Sequence, residues 1–419
     1  MGSQLQNQKR QFLVILTIIF VGFIGVSMPY LIFPPLFLNA EYSFLPASCS
    51  ESSRALFLGL TLAAYPLGQF IGSPILGALS DDYGRKYLLS GSLSIAAICN
   101  LFTGIAIARQ SLWLLLVSRL VAGLMEGNVA IARALCADLK MLSKHETFGK
   151  INAVISIAYL IGPLLGGVMT NKSLFKGLTT STPFFFVCIL FFCLAGLSAL
   201  MLKNAVVTVK TRTLWQRFNF IARMSALFSN KHLKTLLITS TCLTLATDIF
   251  YEFGPVYLTA KWKLGPAQLI FYNGVLCLGL AVGNAWLPAF VSSRLPNRLA
   301  IRGAIGGFAL LLTGIVVTGA HFLMISWFAL CGLAIGLAAT LLTVKISDSV
   351  SDSVQGEVMG TQVSLRVLGD GVICLLGGAL LILSPKIILV VAAGISLAAI
   401  IYYEIAEQRA VSHFPNIPK

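Results

Sequence analysis

Charged side chains are scarce in this sequence. Only 11% of its 419 residues are Asp, Glu, Lys or Arg, whereas soluble domains carry about 25%. Hydrophobic residues make up 57% of the chain, more than a single water-soluble core of this size would bury. The composition therefore excludes an ordinary soluble protein and indicates a chain whose solvent is largely lipid. In that setting the net charge of +15 favours an effect of membrane topology over nucleic-acid binding.

Several features of enzymes, metal proteins and disulfide-rich proteins are also missing. The chain has only four histidines, no C-x-x-C pair, and no phosphate-binding glycine loop or catalytic triad. Eight of its nine cysteines fall in apolar segments, which indicates no disulfide framework. We therefore expect no enzymatic activity, no metal, no cofactor and no nucleic-acid partner.

Long apolar runs are abundant. A membrane-spanning helix needs ~20 largely apolar residues, and twelve segments satisfy this requirement. They are residues 12–38, 54–79, 87–108, 111–138, 147–170, 183–203, 233–258, 267–291, 300–320, 322–345, 358–382 and 385–404. The predicted fold is an all-α membrane protein with twelve spanning helices, the first of which we expect to be retained rather than cleaved as a signal.

The basic residues predict the orientation. With the N-terminus in the cytoplasm, twenty Lys and Arg residues lie on the cytoplasmic side and seven lie outside. Cytoplasmic loops carry the excess of Lys and Arg in membrane proteins, so we expect both termini to be cytoplasmic. The short loops favour a bacterial inner (plasma) membrane and a monomer in contact with the lipid bilayer.

The connection 204–232 divides the chain into two six-helix halves, residues 1–203 and 233–419. It is basic, and its stretch TLWQRFNFIARMSALF brings apolar residues near one face of a possible helix. We expect this helix to lie on the inner leaflet. The alternative is a soluble tether that contains some apolar residues.

The two halves look like copies of one another. With an offset of 211 residues, Gly149, Gly166 and Gly167 of the fifth span align with glycines of the eleventh span. Internal repeats of this kind are typical of secondary transporters. The sequence therefore predicts two pseudo-symmetric six-helix bundles.

A short polar stretch, GALSDDYGRKYLL, connects the second and third spans. It resembles the signature G-x-L-[SA]-D-x-x-G-R-[RK] of the major facilitator superfamily. The matching residues include Gly77, Asp81, Gly84, Arg85 and Lys86. The resemblance implies a cytoplasmic latch, in which the small Gly77 allows close backbone approach and the charges pair in one conformational state. The alternative is that the basic residues only hold this loop inside.

Two further motifs indicate a particular branch of this superfamily. Arg119 in LLVSRLVAGLMEG matches the arginine of the second motif of the superfamily. The fifth span resembles the antiporter motif, with Ala158 in place of one glycine. Its matching residues are Gly149, Gly162, Pro163, Gly166 and Gly167. These motifs resemble the twelve-helix drug/proton antiporter branch, which includes tetracycline exporters, although the first span lacks the acid that many of those antiporters carry.

Ionisable residues inside the spans are the candidate functional groups. A charge near the bilayer centre costs several kcal/mol and is expected to face the interior of the bundle. The candidates for proton coupling are Glu126, Asp370, Asp248 and Glu252, and those for substrate binding or charge relay are Arg119, Arg133 and Arg366.

Each candidate also has a structural interpretation. The seven-residue spacing of Arg119, Glu126 and Arg133 predicts that all three lie near one helical face. Glu126 would be either a protonatable group or part of a fixed ion pair. Arg366 and Asp370, four residues apart, would neutralise each other. Asp248 and Glu252 would hold a proton, attract a cation, form part of an outer gate, or reach external water.

Two transport hypotheses follow. The first is export of a small organic solute in exchange for protons, with the proton gradient as the energy source. The second is uptake, together with protons, of an anionic or zwitterionic solute such as an organic acid, an amino acid or a carboxylate siderophore. A membrane enzyme or a receptor is disfavoured because the chain has no catalytic motif and no appended soluble domain.

The topology predicts opposite accessibility for two positions. In intact cells, a membrane-impermeant maleimide should label Cys49 in the first external loop. An Arg85→Cys variant in a background that lacks the other cysteines should react only after permeabilisation. Labelling of position 85 from outside would contradict the predicted orientation.

Overall fold

The structure is a computed structural model that describes residues 2–42, 44–128, 131–132, 135, 144–171, 177–202, 231–318, 321, 323–349 and 352–413. Arg133 and most of the predicted connection 204–232 lie outside the described residues. The predicted domain boundaries at this connection therefore stay a prediction.

Helices make up the described chain, which contains no β-strand. In chain order they are α1 (Gly2–Ser27), α2 (Phe33–Leu38), α3 (Glu51–Tyr83), α4 (Arg85–Ala108), α5 (Leu112–Leu124), α6 (Lys144–Met169), α7 (Thr182–Met201), α8 (Lys231–Trp262), α9 (Pro266–Ala285), α10 (Leu287–Ser292), α11 (Asn297–Val317), α12 (Leu323–Asp348), α13 (Asp352–Leu383) and α14 (Pro385–His413). Short 3₁₀ turns at Met28–Leu31 and Ala40–Tyr42 flank α2.

The helices form two compact units. The described part of the first unit runs up to Leu202 and includes Trp262–Ile270. The second unit contains Lys231–Lys261 and the described residues from Phe271 onward. Each unit has its own buried core of aliphatic and aromatic side chains.

The helices are long and apolar enough for a membrane. Among the described residues, ten helices have the length and hydropathy of membrane spans, and two shorter apolar helices, Leu112–Leu124 and Ala153–Met169, occupy the places of the remaining predicted spans. Large apolar side chains point outward from both units, for example Trp113 (77% exposed), Leu200 (85%) and Val317 (79%). A soluble monomer rarely exposes so much apolar surface, so the predicted all-α membrane fold is confirmed.

Prolines interrupt the first predicted span. Pro29 lies at the start of the Met28–Leu31 turn, and Pro34 lies at the start of α2. Proline has no N–H to donate and clashes with the preceding helical turn, which favours a break in the helix here. The break is followed by Phe33, which is buried at the start of α2.

Glycines allow α3 and α5 to pack with their backbones in contact. A Cβ atom at Gly68 or Gly72 would overlap the backbone of Leu120 or Leu124 in α5. A Cβ at Gly123 would likewise overlap the carbonyl oxygen of Tyr65 in α3. Small residues spaced in this way permit close approach of membrane helices.

The second unit repeats this packing between α9 and α12. Gly279 and Gly283 follow Gly68 and Gly72 by 211 residues, and their Cβ positions would overlap the backbone of Ala329 and Leu333. The offset is the same as that of the predicted glycine repeat. The two halves therefore share helix packing as well as glycine spacing, as pseudo-symmetric bundles require.

A methyl group at a packed glycine should destabilise the protein. We expect Gly72→Ala to lower the free energy of unfolding by about 1–3 kcal/mol, the usual cost of overpacking. The matched control is Gly91→Ala in α4, where a Cβ meets no described atom within 4 Å. Thermal melting in detergent measures both, and equal melting temperatures for the two variants would contradict the packing assignment.

Candidate functional site

The first unit buries a cluster of four side chains, which we call the N-terminal charged cluster: Phe33, Tyr65, Arg119 and Glu126. The Tyr65 hydroxyl donates a hydrogen bond of 2.5 Å to Oε2 of Glu126. The Arg119 guanidinium carbon lies 4.5 Å from the centre of the Tyr65 ring and 5.6 Å from that of Phe33. A cation over an aromatic face is attracted by the ring quadrupole, so Tyr65 contacts both charged groups.

The N-terminal charged cluster contains one acid and one base, both almost fully buried. Arg119 is 4% exposed and Glu126 is 3% exposed, and their charges interact. Two opposite charges held together cost less to bury than either charge alone. This geometry favours the fixed-pair interpretation of Glu126, with Tyr65 as a bridge.

The helix that carries these two residues is interrupted between them. α5 ends at Leu124, and the Glu126 N–H donates to the Gly123 carbonyl in a tighter turn, at 2.9 Å. The turn departs from regular α-helical geometry, yet Arg119 and Glu126 still lie on the same side, as their seven-residue spacing predicts, because both side chains contact Tyr65 of α3.

The second unit buries a larger group, which we call the C-terminal charged cluster: Asp248, Glu252, Arg366, Asp370 and Cys374. Arg366 donates two hydrogen bonds of 2.8 Å, from Nε and Nη2, to the two carboxylate oxygens of Asp248. The predicted neutralisation of Arg366 by Asp370 is incomplete, because these two bonds cross from α13 to α8.

The remaining two acids of this cluster surround a thiol. The Cys374 Sγ lies 2.5 Å from Oε2 of Glu252 and 4.0 Å from Oδ1 of Asp370. Cys374 is fully buried and Glu252 is 3% exposed. The C-terminal charged cluster therefore contains three carboxyl groups but a single guanidinium.

The burial of the two acids of α8 excludes one of the alternative interpretations given for them. Asp248 is 6% exposed and Glu252 is 3% exposed, so the interpretation in which these acids reach external water is wrong. Both side chains face α13 rather than a surface. Among the described residues, Glu252, Asp370 and Cys374 form a group whose carboxylate and thiol atoms lie within 4.8 Å of one another, close enough for all three to contact one cation.

Comparison with known proteins assigns the family. The sequence profile described as "Major Facilitator Superfamily" matches residues 15–373. The chain belongs to the Major Facilitator Superfamily. Members of this superfamily are transporters and not enzymes, and the apolar helices of this chain agree with a multi-pass membrane protein of that family.

Similar proteins include bacterial drug exporters. The chain is 33% identical to the class H tetracycline resistance protein of Pasteurella multocida over 200 residues, which are 47% of this chain and 45% of that protein. It is 25% identical to the class D tetracycline resistance protein of Salmonella ordonez over 321 residues, which are 76% and 74% of the two chains. The match to the first relative thus spans less than half of that protein.

The fold is that of solved superfamily transporters. The crystal structure of the human organic anion transporter MFSD10 superposes with a TM-score of 0.66 over 94% of this chain and 99% of that one, at 17% sequence identity. At this level of identity the likeness concerns the fold alone.

The superfamily signature lies at the junction of α3 and α4. Gly84 joins the two helices with a φ of 95°, a conformation that glycine adopts without strain. Arg85 and Lys86 begin α4, and the Asp81 side chain lies outside the described part of the structure. At Gly77 a Cβ would meet no atom within 4 Å in the part of the chain that the structure describes, so the expected close approach stays a prediction. The latch itself stays a prediction.

The antiporter motif lies in α6. Its residues are Gly149, Gly162, Pro163, Gly166 and Gly167. A Cβ at Gly162 would overlap Ser27, and one at Gly166 would crowd Met28. These two glycines therefore face the end of α1 and the turn that follows it. Gly167 faces Ile270 of the same compact unit.

Tyr65 and Cys374 belong to the clusters but were not among the predicted site residues. Cys374 had a signal, because it follows Asp370 by four residues, as Asp370 follows Arg366. That spacing places all three on one helical face. Tyr65 lacked such a signal, since its partners lie on another helix.

The acidic partners of the basic residues near α11 were also not predicted. The loop before α11 has two arginines and no acid. In the structure, Arg298 forms an ion pair of 2.6 Å with Glu404 of α14. On the same helix, Glu407 accepts a 2.6 Å contact from Lys345 of α12. The acids that partner these basic residues come from the last helix and not from the loop.

The paired carboxylate in the C-terminal charged cluster should be important for stability. We expect Asp248→Asn to destabilise the protein by about 2 kcal/mol, because it leaves the guanidinium without its charged partner. This is less than the 3–5 kcal/mol of a fully buried pair, since the Arg366 side chain is 37% exposed. Melting in detergent measures the effect.

The control for this prediction is the double variant Asp248→Asn/Arg366→Gln, which removes both charges. It should be more stable than the single Asp248→Asn variant, because it also removes the guanidinium that the single variant deprives of its bidentate partner. A double variant that loses the sum of both single effects would show that the two residues do not interact.

Proposed function

We propose that this transporter exports a small organic solute in exchange for protons, by alternating access. The observation that carries the proposal is the composition of the C-terminal charged cluster. Arg366 neutralises Asp248, and Glu252 and Asp370 stay together with a thiol between them. This leaves two acids with no second guanidinium in the cluster.

Two neighbouring buried carboxyl groups resist joint ionisation. Each carboxylate disfavours the charge of the other, and burial disfavours both charges. The pair is then most stable with one proton shared between Glu252 and Asp370, and it titrates as a unit. A proton held in this way exchanges only when water reaches the cluster, which is the property that coupling to alternating access requires.

In the proposed mechanism the two clusters have different roles. The N-terminal charged cluster is balanced, with Arg119 and Glu126 bridged by Tyr65, and it braces the first unit. The C-terminal charged cluster binds and releases the exchanged proton. The first predicted span contains no Asp or Glu, which is consistent with a proton site in the second half.

The relatives support the direction of transport. Two of the similar curated proteins are tetracycline resistance proteins, which favours efflux for this chain. The arrangement in the membrane is part of the same proposal: cytoplasmic termini, a bacterial inner membrane, and a cytoplasmic latch at Asp81, Arg85 and Lys86. The proposed energy source is the proton gradient.

One observation favours a second candidate, proton-coupled uptake of an anionic solute. Nε of Arg119 is buried, and it has no hydrogen-bond partner among the described residues. Guanidinium groups bind carboxylates and phosphates well, so an anionic solute at this position would satisfy the donor. The direction of flux under an imposed pH gradient separates the two candidates.

Transport by reconstituted protein tests the proposal. Tetracycline is the first probe, followed by any solute that raises the melting temperature of the purified protein, because a ligand that binds the folded state stabilises it. Accumulation in liposomes with an acidic lumen indicates antiport, and accumulation under an acidic exterior indicates symport. Glu252→Gln and Asp370→Asn should each abolish pH-driven accumulation.

The matched control is Glu51→Gln, which neutralises an exposed acid in the first turn of α3. It should transport like the wild type. Full retention of pH-driven accumulation in both Glu252→Gln and Asp370→Asn would refute the proposed proton site.

A further inference from the structure

We infer that Cys374 is a positioning residue for the proton site: its thiol donates a hydrogen bond to Glu252 and holds that carboxyl group beside Asp370. The inference rests on the proposed function and adds a residue to it. Cys374 has no part in the superfamily motifs of the sequence, and its role follows from the register of two helices.

The register brings the functional residues of α8 and α13 together in pairs. Asp248 lies opposite Arg366, and Glu252, one turn further along α8, lies opposite Cys374, two turns further along α13. The numbers rise together, so the two helices run in the same direction at this contact. Asp370 occupies the intervening turn of α13, within 4.0 Å of the thiol.

Two glycines of α13 permit this close contact. A Cβ atom at Gly369 would overlap the side chain of Leu245, and one at Gly377 would overlap that of Phe253. Both contacted residues belong to α8 and flank its two acids. The small residues bring the helices close enough for the short side chain of Cys374 to reach Glu252.

The two hydrogen-bonded pairs of the cluster, Arg366 with Asp248 and Cys374 with Glu252, differ in the strength of the donor. Arg366 gives Asp248 two charge-assisted hydrogen bonds, which favour the charged form of that carboxyl group. The thiol gives Glu252 a single weak donor. A weak donor orients the carboxyl group and moderately favours its charged form, while the group stays able to take up a proton. The thiol keeps its own proton, and the exchanged proton is the one shared by Glu252 and Asp370.

Among the described residues, four charged or titratable groups lie around the Cys374 thiol. They are its partner Glu252 and the neighbouring Asp248, Arg366 and Asp370. All belong to α8 or α13, and three of the four are acids. Removal of the thiol therefore leaves Glu252 among carboxyl groups with one favourable donor fewer, and its charged form becomes less favourable.

The experiment compares Cys374→Ala, Cys374→Ser and Cys331→Ala in proteoliposomes. For Cys374→Ala we expect the pH midpoint of proton-coupled transport to rise by about one unit, a ten-fold change in proton affinity. For Cys374→Ser the midpoint should stay at or below that of the wild type, because a hydroxyl is the stronger donor. Cys331 is equally buried in α12, and its replacement should leave the midpoint unchanged.

A second readout does not depend on transport. The S–H stretching band in the infrared spectrum reports the hydrogen bond of a thiol, and a shifted band should disappear in Cys374→Ala and move in Glu252→Gln. This readout also applies if Cys374→Ala folds poorly, since the Glu252→Gln comparison keeps the thiol.

The possible outcomes separate the two proposals. Midpoints of Cys374→Ala and Cys331→Ala that both equal the wild-type value would overturn the positioning role, whatever drives transport. A hydrogen-bonded S–H band that does not respond to Glu252→Gln would also overturn it. A responsive band in a protein that moves no protons would confirm the contact and refute the proposed function.

Discussion

Charge inside an apolar helix bundle is the constraint on which the rest of this structure depends. A membrane span that contains an ionised side chain is stable only if a partner neutralises the charge or the group takes up a proton. The two halves meet this requirement differently. The first pairs Arg119 with one acid through Tyr65, and the second has more acids than its single guanidinium can neutralise.

The shared packing of the two halves makes this difference informative. The same glycine contacts join α3 to α5 and α9 to α12, so the scaffold is repeated. The charges are not repeated: the position that corresponds to Arg119 in this packing is Phe328, a buried residue of α12. The two halves therefore share their helix packing, and a few side chains give the two clusters their different balance of charge.

Much of the fold follows from the sequence because lipid imposes a simple rule. About twenty apolar residues make a span, and the excess of basic residues orients it. The breaks are harder to predict. The turn that ends at Glu126 contains Gly123 but no proline, and glycine is also common in continuous membrane helices. Pro29 and Pro34, in contrast, mark the break before α2.

The sequence predicts which ionisable residues belong to the site, but not which of them form pairs. All four acids were identified because ionisable residues are rare in spans, yet their partners depend on the rotation and register of neighbouring helices. Arg366 illustrates this limit, since its neighbour in sequence is Asp370 and its bidentate partner is Asp248 on α8. No periodicity within one helix contains that information.

Glu252 and Asp370 are proposed to share a proton at neutral pH. Infrared spectroscopy of the protein in lipid tests this directly, because a protonated carboxyl group has a carbonyl stretching band that a carboxylate lacks. We expect such a band at pH 7 in the wild type and in Glu126→Gln, and its loss in the double variant Glu252→Gln/Asp370→Asn. Identical carbonyl regions in the wild type and the double variant would refute the shared proton.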